Sequence, residues 1–252
     1  MTARVARAIS KRVEQLDGAR RSANDVVGRV MGLRAIMWRA QFELAARSAD
    51  RPRDLELRNE RHNLWVSTSQ VPVSPRERQL LDRGLGTWSM AEIGELVWRN
   101  QAAFALLWAL GHAEMPPYTT IVSANIVFEH VERMFARIAP QLRSAVEIDR
   151  AIELAELWNW RGRTETLRRR GVPPPPADSY EATVARAMRS AVEAQLVDAA
   201  DVADGDLLVG DMRYATLDHK TFIEVSCIAH ERHWALHWLV DTAAWDDAMP
   251  AT

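Results

Sequence analysis

The chain has 252 residues, 48% of them hydrophobic and 26% charged, and a formal net charge of −2. A chain of that size can bury roughly three quarters of its unfolded surface, and the near-neutral balance provides no global attraction to nucleic acid or an anionic membrane. One cysteine, Cys227, excludes an internal disulfide framework and fits a reducing cytoplasm, and no apolar run approaches the ~20 residues that span a bilayer.

Charge is uneven along the chain. Residues 1–39 carry nine basic side chains against Glu14, Asp17 and Asp25, and Lys11 and Lys220 are the only lysines. With abundant Ala and Val, the arginine bias reads as the mark of a GC-rich genome rather than of phosphate binding. Val5, Ile9, Val13 and Leu16 recur at helical spacing, with Gly18 as a stop. The first thirteen residues are basic and acid-free, superficially like a transit peptide, and lack the apolar core of a secretory signal. Their pattern runs on into the next helix and so reads as part of the fold.

That next helix carries Val26, Val30, Leu33, Met37, Ala40 and Leu44, alternating four and three apart. This two-heptad seam suits packing within the chain or on a second copy. Gly28 and Gly32 each cost about 1 kcal/mol of helix propensity relative to Ala, which points to close approach of another helix. A third helix runs from Asp54 through Leu57, Leu64 and Trp65. Ser74-Pro75-Arg76-Glu77 is a capping box with proline at the first helical position, and Gly84 and Gly86 end its helix. Ser89-Met90-Ala91-Glu92 is a second box, opening a long helix through Ile93, Val97, Phe104, Leu107 and Trp108. A second apolar row there, Leu96, Ala103, Leu106 and Leu110, also contains Arg99, where a core helix prefers an aliphatic residue.

Ile126, Val127, Val131, Met134, Phe135 and Ile138 form an amphipathic helix stopped by Pro140. Ser144 to Glu147 is a third capping box, and its helix carries Ile148, Ile152, Ala155 and Trp158 on one side. That helix ends with Arg161, Arg163 and Arg168 to Arg170, cations that suit the negative end of the helix dipole. Residues 172–177 are a proline-rich connector, and a helix over about 178–197 follows with Val184, Met188 and Ala191 inward. In 207–217, Leu207 and Val209, then Met212 and Tyr214, alternate around Gly210-Asp211, a two-residue hairpin turn.

Asp218 caps the last helix, which is apolar on most sides. Phe222, Val225, Ala229, Leu236 and Leu239 form one row, interrupted by Arg232. Ile228, Ala235 and Trp238 form another, interrupted by Glu231. Charges at core positions need partners, because an unpaired buried charge is costly. Arg99 is similarly misplaced and Asp246 lies just beyond the helix end, so Arg99, Glu231, Arg232 and Asp246 are expected to lie together as a ligand-binding or structural cluster. The architecture is mainly α: a single compact multi-helix domain over residues 1–252, with at most one short β-hairpin near 207–217. Its parts are N-terminal helices in 1–50, central helices in 51–171, the connector, and C-terminal helices in 178–252.

Three blocks resemble one known pattern. Trp98-Arg99 with Leu106-Leu107-Trp108-Ala109-Leu110-Gly111 is similar to the W-R-x-E…L-L-W-A-L-G block of a bacterial family named only as domain-of-unknown-function family 4272. Glu231-Arg232-His233, with Ala235-Leu236 and Trp238-Leu239, resembles its E-R-H-x-A-L-N-W-L block, and Trp245-Asp246 the W-D that follows. The segment 206–218 and Glu147-Ile148 with Ala155-Glu156-Leu157 extend the likeness over roughly residues 20–247. Gln101 and His237 stand where the family usually has glutamate and asparagine. The resemblance implies a fold and a cytoplasmic bacterial setting, and no reaction.

For chemistry, Glu231, His233 and His237 are the catalytic candidates. His230 and His233 lie three apart, and His233 and His237 four apart, so each pair can share a helix face, with Cys227 three before His230. A zinc site needs three or four convergent ligands. No H-E-x-x-H occurs, and further ligands would have to come from Asp246 or His112, so neither a metal nor a cofactor is expected. Glu231 could serve as a general base with Arg232 or Arg99 holding an anion, or the charges could simply pair. The ten tryptophans read as core residues, with Trp108, Trp234 and Trp238 as candidate pocket walls. Phosphate loops, Cys-x-x-Cys pairs and nucleophile elbows are absent from the sequence. The expected function is a non-enzymatic cytoplasmic module that binds another protein or itself. The alternatives are an enzyme with an acid–base or metal site around Glu231, His233 and His237, and, weaker, nucleic-acid binding through residues 4–39.

Overall fold

The computed structural model of the protein describes residues 20–135, 139–174 and 178–248. The helix expected over Val5 to Leu16, Ile138, and Pro175 and Pro176 of the connector lie outside them. The elements are α1 (Ala23–Ala46), α2 (Leu55–Thr68), α3 (Pro75–Leu81), α4 (Met90–Leu96), α5 (Arg99–Ala109), α6 (Ala124–Met134), α7 (Ala145–Arg169), α8 (Tyr180–Glu193) and α9 (His219–Trp238). Three short strands, β1 (Val202–Ala203), β2 (Asp206–Val209) and β3 (Met212–Arg213), form an antiparallel sheet in the order β1-β2-β3. The fold is mainly α. Among the described residues no helix is long and apolar enough to cross a membrane.

Helix starts follow local chemistry. Ser74, Ser89 and Ser144 each accept from the third helical N–H while Glu77, Glu92 and Glu147 reach back to the cap backbone. Ser22 does the same with Asp25. Asp218 caps α9 by accepting from the Thr221 N–H at 3.0 Å. Each such cap stabilises its helix by ~1 kcal/mol.

The centre of the molecule is α5, whose every residue is buried, packed on α9 and α1, with α7 along the other side of α9. Leu106 and Leu107 on α5, Leu33 and Ile36 on α1, and Ile228 and Leu236 on α9 are fully buried, each stabilising the fold by roughly 1.5–3 kcal/mol. The α1 seam is used within the chain: Val26, Val30, Leu33, Met37 and Ala40 are buried, and only its last member, Leu44, is exposed.

Several details depart from the sequence reading. The glycines of α1 admit a loop rather than a helix, since a Cβ on Gly32 would lie 2.5 Å from the carbonyl oxygen of Pro72 and one on Gly28 3.0 Å from its ring. On α2, Leu57 and Leu64 face outward, and Leu55, His62 and Val66 are the buried side. On α6, Val127, Val131 and Met134 are buried while Ile126 and Phe135 are exposed. The long helix expected from Ser89 onward is two helices. Val97 and Trp98 keep right-handed helical dihedrals, but the Trp98 and Gln101 N–H groups bond three residues back, to Glu95 and Trp98. No proline or glycine stands at that break to announce it.

Gly210-Asp211 does make the two-residue turn, with Val209 opposite Met212 and Gly210 at φ +61°. A further turn at Asp204-Gly205 adds β1 opposite β2. The arginines ending α7 anchor this sheet as well as suiting the helix dipole. Arg161 is buried, donates to Asp206 at 2.6 and 2.8 Å, and pairs with Glu165. Arg168 and Arg169 grip Glu165 and reach the carbonyls of Ala215 and Leu217. Other buried pairs are Arg29 with Glu77 at 2.6 Å and Arg39 with Glu43 at 2.8 Å. Losing one member of such a pair costs about 3–5 kcal/mol, because the other is left charged and dry.

Candidate functional site

Where α4 meets α5, a cleft of about 550 Å³ opens against one face of α7 and one face of α9. From α9 come Phe222, Ser226, Cys227, His230, Glu231 and Trp234, residues at helical spacing. Glu95, Trp98 and Arg99 supply the opposite wall, Asn159, Arg163 and Thr166 the α7 side, and Arg76 a rim position. The volume lies within the usual range for small-molecule sites, and the lining mixes aromatic rings with a few polar groups.

At its base, Arg99 Nη1 donates to Glu231 Oε1 at 2.5 Å and Nη2 to Glu95 Oε1 at 3.1 Å. The guanidinium also lies 4.0 Å from the Trp234 ring centroid, a favourable cation–π contact. Trp234 in turn stacks on Trp245 at 5.2 Å and donates its indole N–H to the Trp245 carbonyl, and Arg29 lies over Trp245 at 4.7 Å. Arg99 and Glu231 are both only 3% exposed. Glu231 Oε2 is buried and accepts no hydrogen bond among the described residues. A carboxylate oxygen left without a donor inside a protein is costly, and this one belongs to a residue of the cleft wall.

The expected four-residue cluster is divided. Arg99 and Glu231 pair directly. Asp246 joins at one remove: its Oδ2 accepts from the backbone N–H of Arg76 at 3.0 Å, and Arg76 pairs with Glu95 at 2.6 Å. Arg232, the next residue round the helix, leaves by another face. It is fully buried and donates to the carbonyls of Pro116, Pro117 and Thr120 and to Gln101 Oε1, with the Tyr118 ring 4.9 Å away. Gln101 itself donates to the Val122 carbonyl. Burial lowers the Arg232 pKa to about 10, so it stays cationic at neutral pH while neutral acceptors hold it. Its place is that of a clamp on the 116–122 loop.

The histidines divide similarly. His233 is buried behind the cleft wall, accepting from Asn159 Nδ2 at 2.9 Å on Nδ1. Burial, with His237 and His230 nearby, drives its pKa down to about 3, so the ring is neutral. His237 lies one turn further on, 3.5 Å from Asp241. Neither lines the cleft. His230 does, and burial lowers its pKa as well, with Glu231 opposing and Arg99 adding to the shift. Among the described residues no group of three or more His, Cys, Asp or Glu side chains converges to hold a metal. Cys227 also faces the cleft, its thiol pushed up to about 11 by burial and by the Glu231 charge.

Sequence reasoning therefore singled out Glu231, Arg99 and Trp234, and missed the cleft roles of His230, Asn159, Trp98 and Glu95. The signal available was the α9 face that repeats at 223, 226, 227, 230 and 234, where Ser226, Cys227 and His230 interrupt an otherwise apolar row between Ile223 and Trp234. Trp108 and Trp238 are core packing and do not line the cleft.

A family model described as "Domain of unknown function (DUF4272)" matches residues 4–193. The match includes the Trp98 to Gly111 block and α7, and stops short of the Glu231-Arg232-His233 block and Trp245. No curated protein and no solved structure matches the chain. With three quarters of its length matched, the chain belongs to the family of the domain of unknown function DUF4272.

Proposed function

We propose that the protein binds a small molecule in the cleft between the α4–α5 junction, α7 and α9. The observation that carries this reading is Glu231 Oε2, an unpartnered carboxylate oxygen on a buried residue of a 550 Å³ cleft. An N–H or O–H donor on the ligand would satisfy it, and Trp98, Trp234 and Phe222 suit an apolar or aromatic body. Arg76 and Arg163 bring positive charge to the same cleft, so a zwitterion such as an aromatic amino acid fits the mixture of signs. Support for a protein-binding or self-associating module is weaker, because the α1 seam, one of the amphipathic surfaces that suggested it, is occupied within the chain. If the cleft also performs a reaction, neutral His230 beside Glu231 is the better proton acceptor than His233 or His237, since it faces the space. The lone cysteine supports a reducing, cytoplasmic setting.

The test uses Cys227, the one thiol of the chain, as a reporter. Alkylation by iodoacetamide is followed by mass spectrometry with phenylalanine, tryptophan, phenethylamine or tryptamine present at up to about 10 mM, which detects affinities down to the millimolar range. At least one of the four is expected to slow alkylation and raise the melting temperature. Both effects should vanish in Ile223→Trp, which narrows the cleft from its rim, and weaken about tenfold or more in Glu231→Gln, the loss of one charge-assisted hydrogen bond. Protection that is the same in both variants as in the natural chain, or absent with all four compounds, refutes the reading. Comparing the amino acids with their decarboxylated amines reports whether the positive rim takes part.

A further inference from the structure

A second cavity, of about 620 Å³, lies on the far side of α1, between α1, α2 and α6. Its chemistry differs from that of the first. Aromatic rings make the walls: Trp38 stands edge-on to Phe42 at 6.1 Å and to Phe128 at 5.5 Å, and near-parallel to His62 at 6.2 Å, with Trp65 tilted against His62 at 5.8 Å. Three arginines join them. Arg34 lies over both Trp38 and Trp65, 5.3 and 5.2 Å from their centroids, while Arg58 and Arg61 sit one helical turn apart on α2 with exposed side chains. No acidic side chain among the described residues lines the space. Two carboxylates act from outside it: Asp54 accepts from Arg58 Nε at 2.8 Å, and the Glu132 charge acts on Arg34.

The polar groups here are underused. Arg34 makes no hydrogen bond among the described residues; its buried Nε and the buried indole N–H of Trp38 are both without an acceptor. The Asp54 bond occupies only the Nε of Arg58, which leaves the terminal nitrogens of its fork for another acceptor. Gln41 and Asn125 add two amides, which can donate and accept together. His62 contributes a wall and no charge: burial lowers its pKa, and its Nε2 is engaged with the Ala35 carbonyl at 3.0 Å.

Aromatic walls set at angles round one space, with guanidinium groups and two amides lining it as well, are what a planar heterocycle bearing a strong anion would need. Stacking on aromatic rings is tolerant of ring identity, guanidinium forks match phosphate oxygens, and amides can read a ring edge. We propose that this cavity is a second binding site, distinct from the Glu231 cleft, for a mononucleotide or a similar aromatic phosphate, with the ring among Trp38, Phe42 and Trp65 and the phosphate on Arg58 and Arg61.

The experiment is isothermal titration of the full chain with AMP, GMP, CMP and UMP, and with adenosine, guanosine and inorganic phosphate as the two halves of the ligand. At least one mononucleotide should bind about tenfold or more tightly than its nucleoside and than inorganic phosphate, the ratio expected when charge-assisted bonds add to stacking. Arg58→Gln with Arg61→Gln alters only exposed side chains, so the melting temperature should hold while affinity falls about tenfold or more. Trp65→Leu, at a half-buried ring, should weaken nucleotide and nucleoside alike, by a factor of ~10 from lost stacking. Four results would overturn the proposal: no saturation by any mononucleotide up to about 5 mM, inorganic phosphate binding as tightly as the mononucleotides, unchanged affinity in the double variant, or a thymidine decanucleotide binding about 100-fold more tightly than any mononucleotide, which is the signature of a strand-binding surface.

Discussion

The Arg99–Glu231 pair sets up the sharpest test of how the site is held. Arg99→Met removes the guanidinium and leaves Glu231 charged, buried and without its donor; Glu95 is freed as well, but it is far more exposed. The first loss costs about 3–5 kcal/mol, and the lost contact with Trp234 adds about 1 kcal/mol. Glu231→Gln is milder: its amide oxygen can still accept from Arg99, and Arg99 keeps Glu95, so about 2 kcal/mol is expected, the difference between a charged and a neutral hydrogen bond with some strain. Arg99→Met with Glu231→Met replaces both charges by apolar side chains of similar length, which often proves near neutral. The double variant should therefore be more stable than Arg99→Met alone, by at least ~2 kcal/mol. Urea titrations followed by circular dichroism measure this, provided the slope is constant across the four proteins. At ~2–4 °C per kcal/mol for a chain of this size, Arg99→Met should melt about 8–24 °C lower. A penalty under about 1 kcal/mol for Arg99→Met, or a double variant no more stable than Arg99→Met, would show that water reaches the pair freely and that the base of the cleft is neither dry nor coupled.

His233 and Gly32 provide two further checks. The His233 ring has a folded pKa of about 3 against 6.5 for an ordinary histidine. Between those values the unfolded chain binds the extra proton, so stability is full above pH 6.5 and is lost as pH falls, by about 2 kcal/mol at pH 5 from this one group; His233→Gln should flatten that part of the pH–stability curve, and an unchanged curve would count against it. Gly32→Ala would gain about 1 kcal/mol of helix propensity on an open helix, but here the new methyl meets the Pro72 carbonyl at 2.5 Å, so thermal melts should show a net loss of about 1–3 kcal/mol, and a stabilised variant would refute the close approach.

Much of the fold could be read locally. Serine with glutamate three residues on marked the starts of α3, α4 and α7, and Asp218 the start of α9, because a cap satisfies N–H groups within its own turn. The Gly210-Asp211 turn was legible for a similar reason: both strands and the turn lie within eight residues. The misplaced charges Arg99, Glu231 and Arg232 were visible as interruptions of apolar rows. Which of them pair was not, since residues 231 and 232 point about 100° apart round α9 and the partners lie more than a hundred positions away. The break at Val97-Trp98 was equally silent, as its dihedrals stay helical and its sequence holds no glycine or proline.

By itself, then, the sequence determined a mainly helical protein with charges buried in its central helices, since those conclusions need only the period of the apolar residues and the cost of desolvating a charge. The tertiary structure alone decided that Arg99 belongs to Glu231 at the base of a cleft, that Arg232 clamps the 116–122 loop instead, and that His230 rather than His233 or His237 faces the open space. Those outcomes depend on where α5 and α7 cross α9 and on which side chains the crossing leaves uncovered. Packing sets that crossing, through contacts whose partners lie far apart in the chain.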